Sequence, residues 1–192
     1  MNQAASEAVV RLQRASGWRK KELQTLQSAM PVIGVSARFN MMRGSLVLLC
    51  AHCEGFLRDA TAIYLRYLED RSPDLDDVRE SYIILLKPDG LARPWRRARN
   101  QLLGDTTGRR RMLGDMRRHV WLLGLDYPPF EAQEKPLGEL VRLRNAIAHG
   151  EKQWLSDDSY SEHTRRVLTF IDTLEDEVIG SIRNERYLRP AA

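Results

Sequence analysis

The sequence predicts an all-α protein, a single-domain up-and-down helical bundle with a basic helical insertion at about residues 88–135. Apolar residues recur at three- and four-residue spacing along most of the chain. No stretch shows the sustained alternation of a strand or an Asn-Gly hairpin signal. The 192 residues are 43% hydrophobic and 29% charged, which is the balance of a globular domain and excludes a disordered chain.

The first two predicted helices are long and are separated by Pro31. The first runs from Ser6 to Ala29 and the second from about Val35 to Glu69. The second is apolar almost all round near residues 47–53, so we expect it to lie at the centre of the bundle.

Polar and thiol residues interrupt this apolar run. His52 and Glu54 leave it too short for a membrane span, and no signal peptide pattern precedes it. Cys50 and Cys53 share one face of the helix, but no second Cys or His pair completes a zinc site. We interpret both cysteines as buried, reduced thiols, which are typical of a cytoplasmic protein.

The middle of the chain is basic and less regular. A third helix is predicted from Asp74 to about Leu86, capped by Ser72-Pro73-Asp74, and residues 88–90 form a turn. Further helices are expected at about 93–103 and 109–123, with a loop at 104–108 and a break at 126–129. Residues 91–118 hold nine arginines and two aspartates, a net charge of +7 against +4 for the whole chain.

This basic segment is a candidate surface for RNA. Its candidate binding residues are cationic or aromatic: Arg93, Trp95, Arg96, Arg97, Arg99, Arg109, Arg110, Arg111, Arg117 and Arg118. Arginine attracts phosphates, and Trp95 among arginines can stack on a base. A solvated charged face or a site for an acidic protein partner is the alternative.

The last two predicted helices run from Pro136 to His149 and from Ser156-Asp157-Asp158 onward. Gly150 is a natural stop for the former, and Ser156 a cap for the latter. The final helix carries an apolar stripe at Val167, Phe170 or Ile171, Leu174, Val178 and Ile182.

Three polar side chains crowd into the last two turns before Gly150. Arg144, Asn145 and His149 are side chains suited to holding a phosphate and moving a proton beside it. Arg144 points into the apolar stripe, where a charge is costly unless paired, and the isolated Glu54 is the expected partner. Arg144 and His149 lie about 140° apart on an ideal helix, so they converge only if the arginine bends and the last turn opens at Gly150.

The string Arg144-Asn145-x-x-x-His149 resembles the Arg-x4–6-His motif of the HEPN superfamily. Residues 48–56, Leu-Leu-Cys-Ala-His-Cys-Glu-Gly-Phe, are similar to the Glu-bearing helix of prokaryotic HEPN proteins of the toxin and RiboL-PSP-HEPN type. The resemblance covers about residues 35–70 and 136–185, with the basic insertion outside it.

The resemblance implies a homodimeric, metal-independent endoribonuclease that uses no cofactor and acts in a toxin–antitoxin or phage-defence system. Its partners would be RNA and a cognate antitoxin or second HEPN-like protein, without a membrane. His149 is then the general acid/base, Arg144 and Asn145 bind the phosphate, and Glu54 orients Arg144. Some relatives carry a modifiable tyrosine two residues after the histidine, where this chain has Glu151.

A purely structural interpretation remains open. Arg144 could simply pair with Glu54, and His149 could cap the helix end, where the helix dipole favours cations. The protein would then be a non-catalytic HEPN-like module that binds RNA or a partner protein, for example as the antitoxin of a pair.

Overall fold

The computed structural model describes residues 2–74, 76–82 and 116–190. The helices of this part are α1 (Gln3–Ala29), α2 (Val35–Arg71), α3 (Met116–Leu122), α4 (Pro128–Ala148) and α5 (Asp157–Arg183). A short 3-10 turn, Met30–Val32, joins α1 to α2. These described residues contain no strand, only the isolated bridge between Val78 and Leu188. None of their helices is both long and apolar enough to cross a bilayer.

Contacts between the long helices give their relative directions. Along α2, its contacts with α1 and with α4 fall at decreasing residue numbers of the other helix, so α2 is antiparallel to both. Its contacts with α5 fall at increasing residue numbers, so α2 and α5 are parallel. The contacts are Arg19–Asp59 and Glu22–His52, then Arg43–Glu151 and Glu54–Arg144, then Arg38–Asp157 and Tyr64–Ser181. The four helices therefore alternate in direction along the chain, and the prediction of an all-α up-and-down bundle is confirmed.

The core lies along α2, as its apolar sequence predicts. Phe56, Leu57 and Ala60 are fully buried there. The predicted stripe of α5 faces them, and both candidates for its second position, Phe170 and Ile171, are fully buried. Each such large side chain stabilises the fold by roughly 1.5–3 kcal/mol relative to exposure. This burial holds the helix that carries Glu54 in a fixed position.

The third predicted helix does not begin at Asp74. Ser72 instead ends α2 in the left-handed region, at φ 43°, and its N–H bonds to the carbonyl of Leu68. The Asp74 carboxylate accepts the N–H of Asp76 in a turn, and Val78 then pairs with Leu188. Helical structure starts only at residue 80. Polar residues that favour an N-cap equally favour turns, which explains this wrong start. The predicted turn at 88–90 lies outside the described residues.

The helix that carries the motif is about two turns longer than predicted. It begins at Pro128 rather than Pro136, and the predicted break at 126–129 is its start. Pro128 fits the first position, where no helical acceptor is available for an N–H. Pro136 lies inside α4. Burial of Phe130 and Leu137 on either side keeps the helix intact across it. Of the helix predicted at 109–123, the structure describes the second half, which is α3. The helix predicted at 93–103 and the loop predicted at 104–108 lie outside the described residues.

Candidate functional site

The motif helix ends where the sequence predicts. Gly150 has a φ of 84°, a value that glycine adopts without steric cost. Its N–H bonds to the carbonyl of Ile147 at 3.0 Å, and that of Glu151 to the carbonyl of Ala146 at 2.9 Å. These two bonds form a Schellman motif, which satisfies the carbonyls of the last turn. They fix His149 as the final residue of the helix.

Arg144 is held by the carboxylate predicted to pair with it. Its Nη2 lies 2.9 Å from Oε1 of Glu54, and 24% and 32% of the two side chains are exposed. The thiol of Cys50 lies 3.8 Å from the same carboxylate oxygen. Partial burial lowers the pKa of Arg144, but its contacts with Cys50 and Glu54 outweigh this and raise the pKa above its ordinary value. The guanidinium is therefore a fixed, permanent cation.

Asn145 and His149 lie one helical turn apart at the end of α4. The backbone N–H of His149 bonds to the carbonyl of Asn145 at 2.9 Å. Asn145 is half-buried and His149 is exposed. Within the described residues, neither side chain makes a hydrogen bond or an ion pair. The imidazole therefore reaches solvent, and Arg144 points toward α2 and Glu54.

A groove opens beside the motif, between the first turns of α2 and the segment 150–157. Its volume is about 710 Å³, and Gly150 is part of its lining. The rings of Phe39 and Trp154 line it side by side with their centroids 4.9 Å apart, and Nζ of Lys152 lies 4.8 Å from the Trp154 ring. The sequence prediction missed these residues. The signal was present as Lys152-x-Trp154 directly after the motif, an exposed aromatic in a polar stretch.

Arg43 of α2, which lines this groove, bonds to the chain just after the motif helix. Its Nη2 donates to the carbonyl of Glu151 at 2.8 Å, so α2 holds the chain just beyond Gly150. The Arg43 guanidinium also lies 5.9 Å from the Phe39 ring. This contact was not expected from the sequence, because nothing in the pattern of α2 relates Arg43 to a loop 108 residues later.

The arginine-rich surface falls mostly outside the described residues. This applies to Arg93, Trp95, Arg96, Arg97, Arg99, Arg109, Arg110 and Arg111. Arg117 is exposed on α3, lies 3.3 Å from Glu134 and covers the ring of Tyr127 at 4.6 Å. Arg118 belongs to the same helix. Among the residues that the structure describes, no three His, Cys, Asp or Glu side chains are placed to hold a metal ion.

The two cysteines are buried and free, as expected. Burial raises the pKa of both the Cys50 and the Cys53 thiols. His52 is also buried, with Nε2 3.0 Å from a carboxylate oxygen of Glu22, and burial lowers its pKa. His52 therefore belongs to the α1–α2 contact and lies on a different helix face from Glu54.

The fold and this site define a class of protein: an alternating bundle of four long helices with an Arg-Asn…His motif at the end of one and its partner carboxylate on the central helix. The RiboL-PSP-HEPN family model matches residues 14–180, and the chain belongs to that family. The match extends beyond the two segments that carry the resemblance and includes half of α1. No curated protein and no solved structure gives a match.

Proposed function

We propose that this protein is a metal-independent endoribonuclease of HEPN type, a cytoplasmic homodimer that acts in a toxin–antitoxin or phage-defence system. The observation that best supports this is the Arg144–Glu54 ion pair at 2.9 Å, in the same two turns as the exposed His149. A cation fixed by a carboxylate and a solvent-accessible imidazole five residues further along the same helix end are the groups needed to cleave RNA through its own 2′-hydroxyl. Membership of the family supports the same activity.

In the proposed mechanism, His149 accepts the proton of a ribose 2′-hydroxyl. The 2′-oxygen attacks the adjacent phosphorus, and the bond from phosphorus to the 5′-oxygen breaks. Arg144 stabilises the charge that gathers on the phosphate oxygens, and Asn145 orients the phosphate or the imidazole. A protonated imidazole returns the proton to the leaving 5′-oxygen. The products are a 2′,3′-cyclic phosphate and a 5′-hydroxyl.

The test is cleavage of single-stranded RNA in EDTA by the wild type and three variants. We expect His149→Ala and Arg144→Ala to lose at least about 10²-fold in rate, the usual contribution of a general acid–base residue. Arg142→Ala is the matched control, because Arg142 is an exposed arginine of the same helix. It should cleave like the wild type and leave cyclic phosphate ends. Equal activity of all four proteins, or none in any, would overturn the catalytic proposal.

Growth on overexpression tests the biological role. Toxicity that His149→Ala relieves supports a toxin that degrades RNA. Harmless expression of the wild type, with RNA binding unchanged in His149→Ala, supports the non-catalytic binding module instead. That alternative is favoured by one observation, namely that Arg144 points toward α2 and Glu54 whereas the side chain of His149 reaches solvent. Light scattering of the purified protein tests the homodimer.

A further inference from the structure

Trp154 is the most exposed tryptophan among the residues that the structure describes. The residue is 76% exposed, although its ring contacts that of Phe39 in a tilted arrangement, with the centroids 4.9 Å and the planes 41° apart. Nζ of Lys152 also lies 4.8 Å from the ring, but with three-quarters of the residue exposed the indole remains accessible as a stacking platform for a base. Trp154 lines the same groove as Gly150, the residue after His149.

The charges around this groove favour an anionic ligand. Arg38, Arg43 and Lys152 line it, against a single carboxylate from Asp157. Arg38 is paired with Asp157 at 2.9 Å, whereas Lys152 has no carboxylate partner within the described residues. Nε of Arg43 is buried without a hydrogen-bond partner. Two cations, Lys152 beside the Trp154 ring and Arg43 beside the Phe39 ring, therefore flank the aromatic platform.

The geometry points to a subsite for one unstacked base of single-stranded RNA, immediately beside the motif. We propose that the base lies on the Trp154 ring while a neighbouring phosphate contacts Lys152 and Arg43. The volume of about 710 Å³ is within the range of pockets that hold small ligands. A duplex does not fit this description, since its bases are already stacked on each other. The inference rests on the proposed function only for identifying the bound strand as substrate.

Fluorescence of Trp154 tests the platform directly. The substitutions Trp18→Phe, Trp95→Phe and Trp121→Phe leave Trp154 as the only tryptophan, and His149→Ala prevents cleavage. We expect an eight-nucleotide single-stranded RNA to quench its emission, and an abasic strand of the same length to quench it far less. Absence of quenching at RNA concentrations that saturate binding, measured by anisotropy of labelled RNA, would overturn the proposal. Loss of quenching by acrylamide when the protein dimerises without RNA would also overturn it, by showing that a second copy covers the groove.

Substitution of Trp154 tests the same subsite in the active protein. Trp154→Ala should weaken RNA binding about fivefold or more, the lower end of the contribution of one stacked base, and should raise KM more than it lowers kcat. Trp154→Phe should retain most of the affinity because a ring remains. Trp121→Ala, at a tryptophan 47% exposed on α3, is the matched control and should bind like the wild type. Equal binding by all three variants would contradict the subsite.

These experiments separate the two proposals. Quenching by RNA in a protein whose wild type cleaves nothing would leave the base subsite standing and remove the nuclease. Cleavage that depends on His149, together with unchanged binding in Trp154→Ala, would leave the nuclease and remove the subsite.

Discussion

At the scale of single residues, the central fact is a charge placed on an apolar helix face. Arg144 points from α4 toward α2, where three-quarters of its side chain is covered, and Glu54 and Cys50 surround its guanidinium. A cation in such a place is stable only with a fixed counter-charge. The ion pair with Glu54 holds the Arg144 side chain in one conformation. Glu54 is therefore a positioning residue in the proposed mechanism.

A double-mutant cycle on this pair tests the positioning. We expect Glu54→Ala and Arg144→Ala each to lower the free energy of unfolding, and the double variant to lose about 0.5–1 kcal/mol less than their sum, because the pair is only partly buried. Urea unfolding of the four proteins measures this. A coupling energy of zero would show that the contact does not constrain Arg144. In the cleavage assay, Glu54→Ala should reduce kcat more than it changes KM.

Substituting alanine for two glycines, one inside α4 and one just after it, should have opposite effects on stability. Gly150→Ala should cost about 1 kcal/mol, because alanine is strained at a φ of 84° although open space surrounds the site. Gly138→Ala, in the exposed interior of α4 with equally open space, should add about 0.5–1 kcal/mol through higher helix propensity. Thermal unfolding measures both. Stabilisation by Gly150→Ala would contradict the Schellman geometry that fixes His149.

At the scale of elements, α4 depends on packing more than on local propensity. Its two prolines occupy different positions, Pro128 at the first turn and Pro136 in the interior. An interior proline removes one backbone hydrogen bond and disfavours a straight helix. The helix nevertheless continues, because Phe130, Leu137 and Leu140 are buried against α2 and α5. Tertiary burial has outweighed the local signal here, which is why the sequence prediction started the helix eight residues late.

Replacing the interior proline should therefore stabilise the protein. Pro136→Ala restores a backbone donor and should raise the free energy of unfolding by about 1–3 kcal/mol. Pro128→Ala is the control, and it should change stability by less than about 0.5 kcal/mol because no helical acceptor awaits its N–H. Urea unfolding compares the two. A loss of stability in Pro136→Ala would mean that the bundle requires a bend at this position.

The contact between α2 and α5 contains a buried cluster of tyrosine hydroxyls. Tyr64 lies 2.6 Å from the Ser181 hydroxyl and 3.0 Å from that of Tyr82, whose hydroxyl also contacts the carbonyl of Leu123. Burial raises the pKa of Tyr64 to about 12 and that of Tyr82 well above its ordinary value. These hydroxyls must stay protonated for the elements to remain packed.

Alkaline pH should therefore destabilise the protein. In the unfolded chain Tyr64 ionises near pH 10, whereas in the folded protein it keeps its proton to about 12. The stabilisation from the protonated Tyr64 hydroxyl is fully present below pH 10. As pH rises from 10 to 12, the free energy of unfolding falls by up to about 3 kcal/mol. Urea unfolding at pH 9, 10 and 11 measures the slope, and Tyr64→Phe should make it shallower. A constant stability up to pH 11 would contradict this account.

At the scale of the whole molecule, the sequence predicted what depends on periodicity and local chemistry. The bundle, the central place of α2, the stop at Gly150, the cap at Ser156 and the pairing of Arg144 with Glu54 all follow from such signals. The groove at Phe39 and Trp154 did not, because it depends on how the chain after the motif packs on the first turns of α2. The prediction that a third helix begins at Asp74 was wrong, because the polar residues that form helix N-caps also form turns.

The uneven distribution of charge predicts how the protein holds RNA. Residues 91–118 carry +7 while the remainder of the chain carries −3, the difference from the total of +4. If the arginines of this segment contact phosphates, binding releases counterions, and log Kd depends linearly on log salt with a slope of about 0.7 per contact for a single strand. Replacing Arg109, Arg110 and Arg111 with Gln should make that slope shallower by about 2.

The control is the replacement of Arg11, Arg14 and Arg58, exposed arginines of α1 and α2, with Gln. It removes the same charge from the other part of the chain and should leave the slope unchanged. The measurement uses His149→Ala in every protein, so that RNA stays intact, at salt concentrations from 50 to 200 mM, over which a multi-arginine contact loses much of its affinity. Binding that is independent of salt, or equal slopes in both triple variants, would show that the arginine-rich segment does not bind RNA.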